Sequence, residues 1–204
     1  MEREIVERMM KAFESLSKML KLTFEGFRKY QEKSIKEAEE IRKEVQRYAS
    51  ELTRFLVEKS LSKEGGKEWV KPYLAIVSSF DRMVYNLDGI SDRLRKMAHE
   101  QVLFTERAIR EIDDVFQETI QLVENVPDLI LTQNKLLAQQ MEEKGKSILR
   151  MADHYSEEHE QRLIEGVCVP HSSPLYLDIL FSLKGIVVQT VEVSEKIVTL
   201  SAKV

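Results

Sequence analysis

Glycine and proline are scarce in this 204-residue chain, which holds 7 glycines and 4 prolines. Because both residues break helices and strands and mark turns, their scarcity favours long, uninterrupted elements with few loops. Charged residues make up 32% of the chain and hydrophobic residues 43%. This balance predicts long amphipathic helices around a core large enough for one domain or two small ones.

Cysteine is almost absent, since Cys168 is the only one. A single cysteine excludes a disulfide within one chain and suits a reducing compartment. The N-terminal residues lack the apolar core of a secretory signal. The most apolar window, residues 175–191, contains Asp178 and Lys184 and is short for a bilayer span. The sequence therefore predicts a soluble cytoplasmic protein.

An excess of positive charge is also missing, because the net charge is -4. Nucleic acid is held mainly through clustered lysine and arginine on phosphates, so this balance argues against a nucleic-acid partner. The basic residues Arg93, Arg95 and Lys96 are flanked by acidic residues. We interpret them as a solvated helix face.

Apolar residues recur at steps of three and four almost throughout the chain, a spacing that predicts amphipathic helices. The six predicted helices have apolar seams within residues 5–20, 38–55, 70–98, 112–122, 130–151 and 179–200. A period near 3.5 predicts a narrow seam and nearly parallel packing in a bundle. The same seams are compatible with pairing between two chains, so the oligomeric state stays open.

The predicted boundaries of the second helix rest on local chemistry. Ser34 and Glu37 have the spacing of a capping box, which predicts that the second helix starts at Ser34. Gly65 and Gly66 predict its end, since glycine adopts a left-handed turn at little cost.

Proline marks two later boundaries. Pro127 disfavours helical geometry at the residue before it and predicts a break between the fourth and fifth helices. Ser173 is placed to cap the sixth helix, with Pro174 at its first position. The junction between the third and fourth helices falls within residues 99–105.

A short internal repeat relates the two parts of the chain. Residues 85–92 (YNLDGISD) align with residues 181–188 (FSLKGIVV) at a constant offset. Gly89 and Gly185 therefore occupy the same point of two helices, although a glycine in a helix costs about 1 kcal/mol relative to alanine. Close approach of a neighbouring helix explains both. The repeat predicts two three-helix halves, residues 1–102 and 103–204.

The run N-L-D-G-I-S-D at residues 86–92 resembles the signature of the PhoU family of phosphate-transport regulators. The residue pattern of this run is most similar to that of the PhoU-like accessory proteins of Pit-type phosphate transporters. The resemblance implies an all-α fold of six long helices in two tandem antiparallel three-helix bundles. It also implies a cytoplasmic regulator or adaptor of phosphate transport and phosphate signalling, peripheral to the inner membrane. Its partner would be a phosphate transporter or its sensor kinase.

The family's acidic pairs, spaced E/D-x-x-x-D, bind metal clusters, and the resemblance places one such pair at Asp88 and Asp92. The equivalent positions of the second half are Lys184 and Val188, which cannot ligate a cation in the same manner. The residues alone leave two interpretations of Asp88 and Asp92. They are either oxygen ligands for a divalent or iron cation or a solvated acidic patch.

Further acidic residues extend this question to the second predicted helix. Glu40 and Glu44 have the same four-residue spacing. They would complete a metal site only if they face Asp88 and Asp92.

Catalytic motifs are not recognisable in the sequence. His154 and His159 are five residues apart and point to different faces of a helix, so they do not form a metal pair. Cys168 lies between valines and is interpreted as a partly buried, inert thiol. The sequence lacks nucleophile-elbow, zincin, Walker and dinucleotide-binding motifs.

Three functions follow as alternatives. The first is the regulator, which is not an enzyme. The second is a helical scaffold or dimerisation module that has lost the family's metal site, and the third and weakest is a metalloenzyme built on the bundle.

Overall fold

A computed structural model describes residues 3–62 and 68–201 of the chain. The helices are α1 (Arg3–Lys29), α2 (Glu32–Ser62), α3 (Lys71–Glu100), α4 (Glu106–Glu124), α5 (Val126–Thr132), α6 (Lys135–Ile164) and α7 (Ser173–Ser201), with a 3₁₀ turn at Glu68–Val70. The predicted all-α fold is confirmed for the described residues. Gly65 and Gly66, the predicted end of the second helix, lie outside them.

Six of the helices are long, as the sequence predicts, and the short α5 is an addition. The predicted break at Pro127 is correct, because α4 ends at Glu124 and Pro127 lies in the first turn of α5. The backbone then turns through Gln133, which has a left-handed φ of 50°. Asn134 caps α6 by accepting a hydrogen bond from the Leu136 amide at 2.9 Å.

The predicted start of the second helix at Ser34 is wrong. Helix α2 begins at Glu32, and the reversal comes earlier, at Tyr30, which has a left-handed φ of 51°. The Gln31 amide donates to the Gly26 carbonyl at 3.3 Å, a contact that closes the end of α1. Ser34 therefore lies buried in the first turn of α2. The left-handed residue is not a glycine, so the sequence carries no clear signal of this turn.

Helices α1, α2 and α3 pack against one another, and so do α4, α6 and α7. The two groups meet where α3 lies along α7 and where α1 lies against α4 and α5. One continuous cluster of buried apolar side chains runs through both groups. The predicted division between residues 102 and 103 falls in the loop that joins α3 to α4, and the independence of the two halves stays a prediction.

An aromatic cluster joins the two groups. Phe116 of α4 is fully buried, and its ring centroid lies 5.0 Å from that of Phe24 and 5.9 Å from that of Phe27, both on α1. The rings are nearly parallel, with interplanar angles of 29° and 23°. Such pairs contribute stability beyond their buried area.

Helix α7 is the most apolar of the six long helices. Residues 173–200 are long and apolar enough to cross a bilayer by length and hydropathy, and 56% of the apolar window is buried within the protein. The helix is longer than the window that sequence analysis judged too short for a span. It packs against α3, α4, α5 and α6 and so occupies a central position in the bundle.

Candidate functional site on the α3 and α7 face

The two repeat-related helices, α3 and α7, lie against each other, and the glycine of each faces the other helix. A Cβ atom at Gly185 would lie 2.6 Å from the Asn86 side chain, which is too close for an unperturbed contact. A Cβ atom at Gly89 would lie 3.4 Å from Ser182 Oγ, an ordinary contact. Asn86 and Ser182 are themselves equivalent positions of the repeat. The glycine of each helix therefore faces the same repeat position on the other helix. The predicted close approach of a neighbouring helix is confirmed at Gly185, whereas the space at Gly89 does not require a glycine.

Polar contacts on both sides of this crossing fix the antiparallel register. Arg82 Nε donates to Gln189 Oε1 at 2.5 Å, and Arg93 Nε donates to Asp178 Oδ2 at 3.1 Å. The guanidinium of Arg93 also donates to the Gly89 carbonyl at 3.1 Å. These contacts fix the alignment of α3 with α7, so the exposed side chains of the two helices keep fixed positions relative to each other.

Exposed aromatic side chains flank a groove on this surface, which we call the α3/α7 face. Tyr85 is 79% exposed and Phe181 is 72% exposed, and they occupy equivalent positions of the repeat. The groove between them has a volume of about 510 Å³ and is completed by Val188 and Gly185 among others. Aromatic residues are enriched at protein–protein interfaces, where they supply much of the binding energy.

Asp88, the first predicted metal ligand, is half-buried and paired with an arginine. Arg42 of α2 donates from Nη1 to Asp88 Oδ2 at 3.2 Å. Burial raises the pKa of Asp88 above its ordinary value, and the Arg42 charge and hydrogen bond oppose that rise. The nearby Asp92 charge adds to the rise. The carboxylate is thus held by a cation that the protein itself supplies.

Asp92, the second predicted ligand, is exposed and forms an ion pair with Arg95 on its own helix. Arg95 also pairs with Glu39 of α2. The Glu40 carboxylate instead accepts a hydrogen bond from Lys43 at 2.9 Å. The residue of α2 that is linked to Asp92 through Arg95 is Glu39, and neither Glu40 nor Glu44, the pair considered from the sequence.

The equivalent positions of the second half have the opposite arrangement of charge. Lys184 of α7 pairs with Asp153 of α6, whereas Asp88 of α3 pairs with Arg42 of α2. Val188 lines the groove. Within residues 3–62 and 68–201, no group of three or more His, Cys, Asp or Glu side chains is placed to hold a metal ion. Two ion-paired carboxylates without a third ligand fall short of the oxygen-rich set that hard cations take.

A buried polar network in the second group was not predicted. The Glu111 carboxylate accepts hydrogen bonds from Arg162 at 3.0 and 2.7 Å and from the Tyr176 hydroxyl at 2.6 Å. Arg107 adds a further bond to Glu111 at 2.9 Å. Glu111 and Arg162 are both more than nine-tenths buried. The network joins α4, α6 and α7.

Two opposing effects set the pKa of Glu111. Burial raises it, but the hydrogen bonds from Tyr176, Arg162 and Arg107 together outweigh burial and hold the pKa below its ordinary value. For Tyr176, burial and the hydrogen bond to Glu111 both raise the pKa. At neutral pH the network is therefore an ionised carboxylate bonded to a protonated tyrosine and an arginine.

His159 and Cys168 extend this network. As predicted, His154 and His159 point to different faces, and His154 is exposed while His159 is only 2% exposed. The His159 ring stacks on Tyr176 with 4.2 Å between centroids. Its Nε2 atom lies 2.9 Å from Ser173 Oγ, and its Nδ1 atom lies 3.9 Å from Cys168 Sγ. Cys168 is buried, as predicted, with 6% of its surface exposed.

Comparison with solved structures gives two informative likenesses. The chain is similar to the phosphate transport system regulatory protein PhoU from Streptococcus pneumoniae, with a TM-score of 0.84, 11% identity, and coverage of 98% of this chain and 95% of that one. It is also similar to a PhoU-like protein from Shewanella oneidensis MR-1, with a TM-score of 0.61, 13% identity and coverage of 98% and 100%. No family model and no curated protein matches the chain. At these identities the likeness shows the fold, which is that of PhoU.

Proposed function

We propose that this chain is a PhoU-like regulator of phosphate transport that acts by binding another protein. The supporting observation is a likeness in fold that spans nearly the whole of both chains, to a protein that regulates a phosphate transport system. The motif at residues 86–92, which suggested the same family, lies on α3 at the crossing with α7. A closer relation to the accessory proteins of Pit-type transporters is part of this proposal, as are a cytoplasmic location and a peripheral position at the membrane.

The α3/α7 face is the proposed docking surface. Its exposed aromatic pair, Tyr85 and Phe181, lies beside the family motif and lines a largely apolar groove. Burial of such a pair on a partner removes apolar area from water, at about 25 cal/mol per Å². The proposed partner is a subunit of a phosphate transporter, and the sensor kinase is the second partner that the resemblance implies.

A capture experiment tests this proposal. Tagged protein is cross-linked and recovered from solubilised membranes of its own organism, and bound proteins are identified by mass spectrometry. The double variant Tyr85→Ser/Phe181→Ser is expected to lose at least about tenfold of the recovered transporter subunit, which corresponds to about 1.4 kcal/mol of binding free energy. Recovery of the sensor kinase in its place would assign the same face to that partner.

A matched control replaces exposed apolar residues elsewhere. Leu103 and Ile164 are 74% and 81% exposed and lie outside the α3/α7 face. The variant Leu103→Ser/Ile164→Ser is expected to recover the partner at the level of the unmodified chain. Equal losses in both variants, or no phosphate-system protein recovered by any chain, would reject the proposed docking surface.

A metal ion at Asp88 and Asp92 is a further proposal, and it requires that the ion compete with Arg42 and Arg95. Equilibrium dialysis against Mn²⁺ measures this competition. The variant Asp88→Ala/Asp92→Ala should abolish uptake while helicity stays intact. The variant Arg42→Gln/Arg95→Gln should bind about tenfold more tightly, since exposed ion pairs are worth up to about 1 kcal/mol each. If the metal content is the same in all three chains, the metal proposal fails.

The ion pairs also favour a second candidate, a helical scaffold or dimerisation module that has lost the metal site. Lys184 stands at the position equivalent to Asp88, and Arg42 pairs with Asp88 itself. A cation of the protein is therefore present in each half where the resemblance would put a metal ion. Metal-free protein of normal stability that recovers only its own copies from membranes would support the scaffold.

A further inference from the structure

The loop between α6 and α7, residues 165–172, is attached to the buried network at defined points. The Arg162 carbonyl accepts hydrogen bonds from the amides of Val167 at 2.9 Å and Cys168 at 3.2 Å. The Cys168 side chain turns inward to His159, while Val167 and Val169 on either side are exposed. The thiol is therefore buried on the side of the loop that contacts the His159 ring.

The surroundings of His159 oppose a positive charge on its ring. Nε2 contacts Ser173, the first residue of α7, where the helix dipole is positive. Nδ1 faces the sulfur of Cys168, which is a poor acceptor for a second N–H. Burial lowers the pKa of His159, and the Arg162 charge lowers it further.

Two nearby carboxylates only partly offset the lowering of the His159 pKa. The titratable or charged groups around the ring are Glu111 from α4, Arg162 and Glu160 from α6, Cys168 from the loop and Tyr176 from α7. Glu111 and Glu160 raise the pKa of His159, but less than burial and Arg162 lower it. Glu111 is moreover already bonded to Arg162, Arg107 and Tyr176.

We propose that His159 is a proton-operated latch, which holds the 165–172 loop closed when neutral and releases it when protonated. Protonation requires two N–H acceptors and places a second cation beside Arg162 in a buried site. When the loop is released, the His159 imidazole on α6 is hydrated and its positive charge carries no such penalty. The pKa of His159 is therefore higher with the loop open than with it closed, and acidification below about pH 6.5 shifts the equilibrium toward the open loop.

The far end of the same loop contains a second histidine contact, which provides a matched control. His171 Nε2 lies 3.3 Å from Glu100 Oε2 at the end of α3. This contact lies at the other end of the loop and does not involve the His159 ring. Its removal therefore tests whether loss of any histidine contact of the loop gives the same response as loss of His159.

Cys168 reports on the loop directly, because it is the only cysteine of the chain. The rate of labelling with dithiodipyridine is measured in the native protein and in the urea-unfolded protein at each pH, and their ratio gives the protection of the thiol. Between about pH 7.5 and 5.5 the protection is expected to fall several-fold, roughly three- to tenfold. The far-UV circular dichroism should stay unchanged.

Variants separate the latch from other titrations. In His159→Gln the protection should no longer fall with acidification, while in His171→Gln, which leaves the His159 ring in place, the fall should persist. A flat profile in the unmodified chain, or a fall that persists in His159→Gln, would overturn the proposal. If His159→Gln does not fold, the titration of His159 in the unmodified chain by NMR decides the question, because its midpoint must coincide with the loss of protection.

Discussion

Replacement of Arg162 by alanine is expected to lower the free energy of unfolding by about 3–5 kcal/mol, because it leaves the Glu111 carboxylate buried without its main cation. The guanidinium makes two of the four side-chain hydrogen bonds to that carboxylate. Tyr176 and Arg107 would remain, but neither is a buried charge. Urea unfolding at neutral pH, followed by circular dichroism, measures the loss.

Arg107 offers the control for this prediction. It bonds to the same Glu111 oxygen as Arg162 but is half-exposed. Arg107→Ala should therefore cost at most about 1 kcal/mol. The apolar double variant Glu111→Leu/Arg162→Met should recover much of the stability that Arg162→Ala loses, since neither charge is then buried. Equal losses for Arg162→Ala and Arg107→Ala would contradict the role assigned to the buried pair.

The Glu111 network also predicts the direction of the pH dependence. The pKa of Glu111 is lower in the folded state than its ordinary value of 4.5. Its contribution is therefore fully present above about pH 4.5 and is lost as pH falls through the folded-state pKa. The stability difference between the unmodified chain and Arg162→Ala should accordingly shrink in acid.

Replacement of Phe116 by alanine is expected to cost about 3–5 kcal/mol, the range for removal of a fully buried aromatic side chain. The ring lies between α4 and the Phe24 and Phe27 rings of α1, so its loss opens a cavity at the contact between the two helix groups. We also expect unfolding to occur in one transition in the unmodified chain and in two in this variant, one for each half of the chain. Differential scanning calorimetry and urea unfolding measure both effects.

Phe80 is the matched control for Phe116. It is also fully buried, and its ring lies 4.6 Å from Phe13, within the first group. Phe80→Ala should lose a similar amount of stability but still unfold in one transition, because the contact between the two helix groups is intact. One cooperative transition in Phe116→Ala would show that the division at residues 102 and 103 does not mark independent folding units.

Much of the fold follows from the sequence because the apolar spacing of long helices is a local signal. Ser173 does begin α7, and Pro127 does interrupt the fourth helix. The reversal at Tyr30 was missed, because a bulky residue in the left-handed region carries no compositional signal. Helix α5 was missed because seven residues are too few to show a period.

The candidate sites were less predictable, because their partners come from distant parts of the chain. The pairing of Asp88 with Arg42 spans 46 residues, and that of Glu111 with Arg162 spans 51. No periodic pattern links such positions. One signal was available: Glu111 directly precedes Ile112 at the edge of the apolar seam of α4, where a charged residue needs a buried partner.

The central position of α7 has a consequence for synthesis on the ribosome. This helix leaves the exit tunnel after α3, α4, α5 and α6, yet it covers the apolar sides of all four. Until α7 emerges, the nascent chain exposes surface that is buried in the finished protein. The first three helices can associate during translation, whereas the second group must wait for its last element. Chaperone contact should therefore concentrate on chains whose synthesis has passed α6 but not yet released α7.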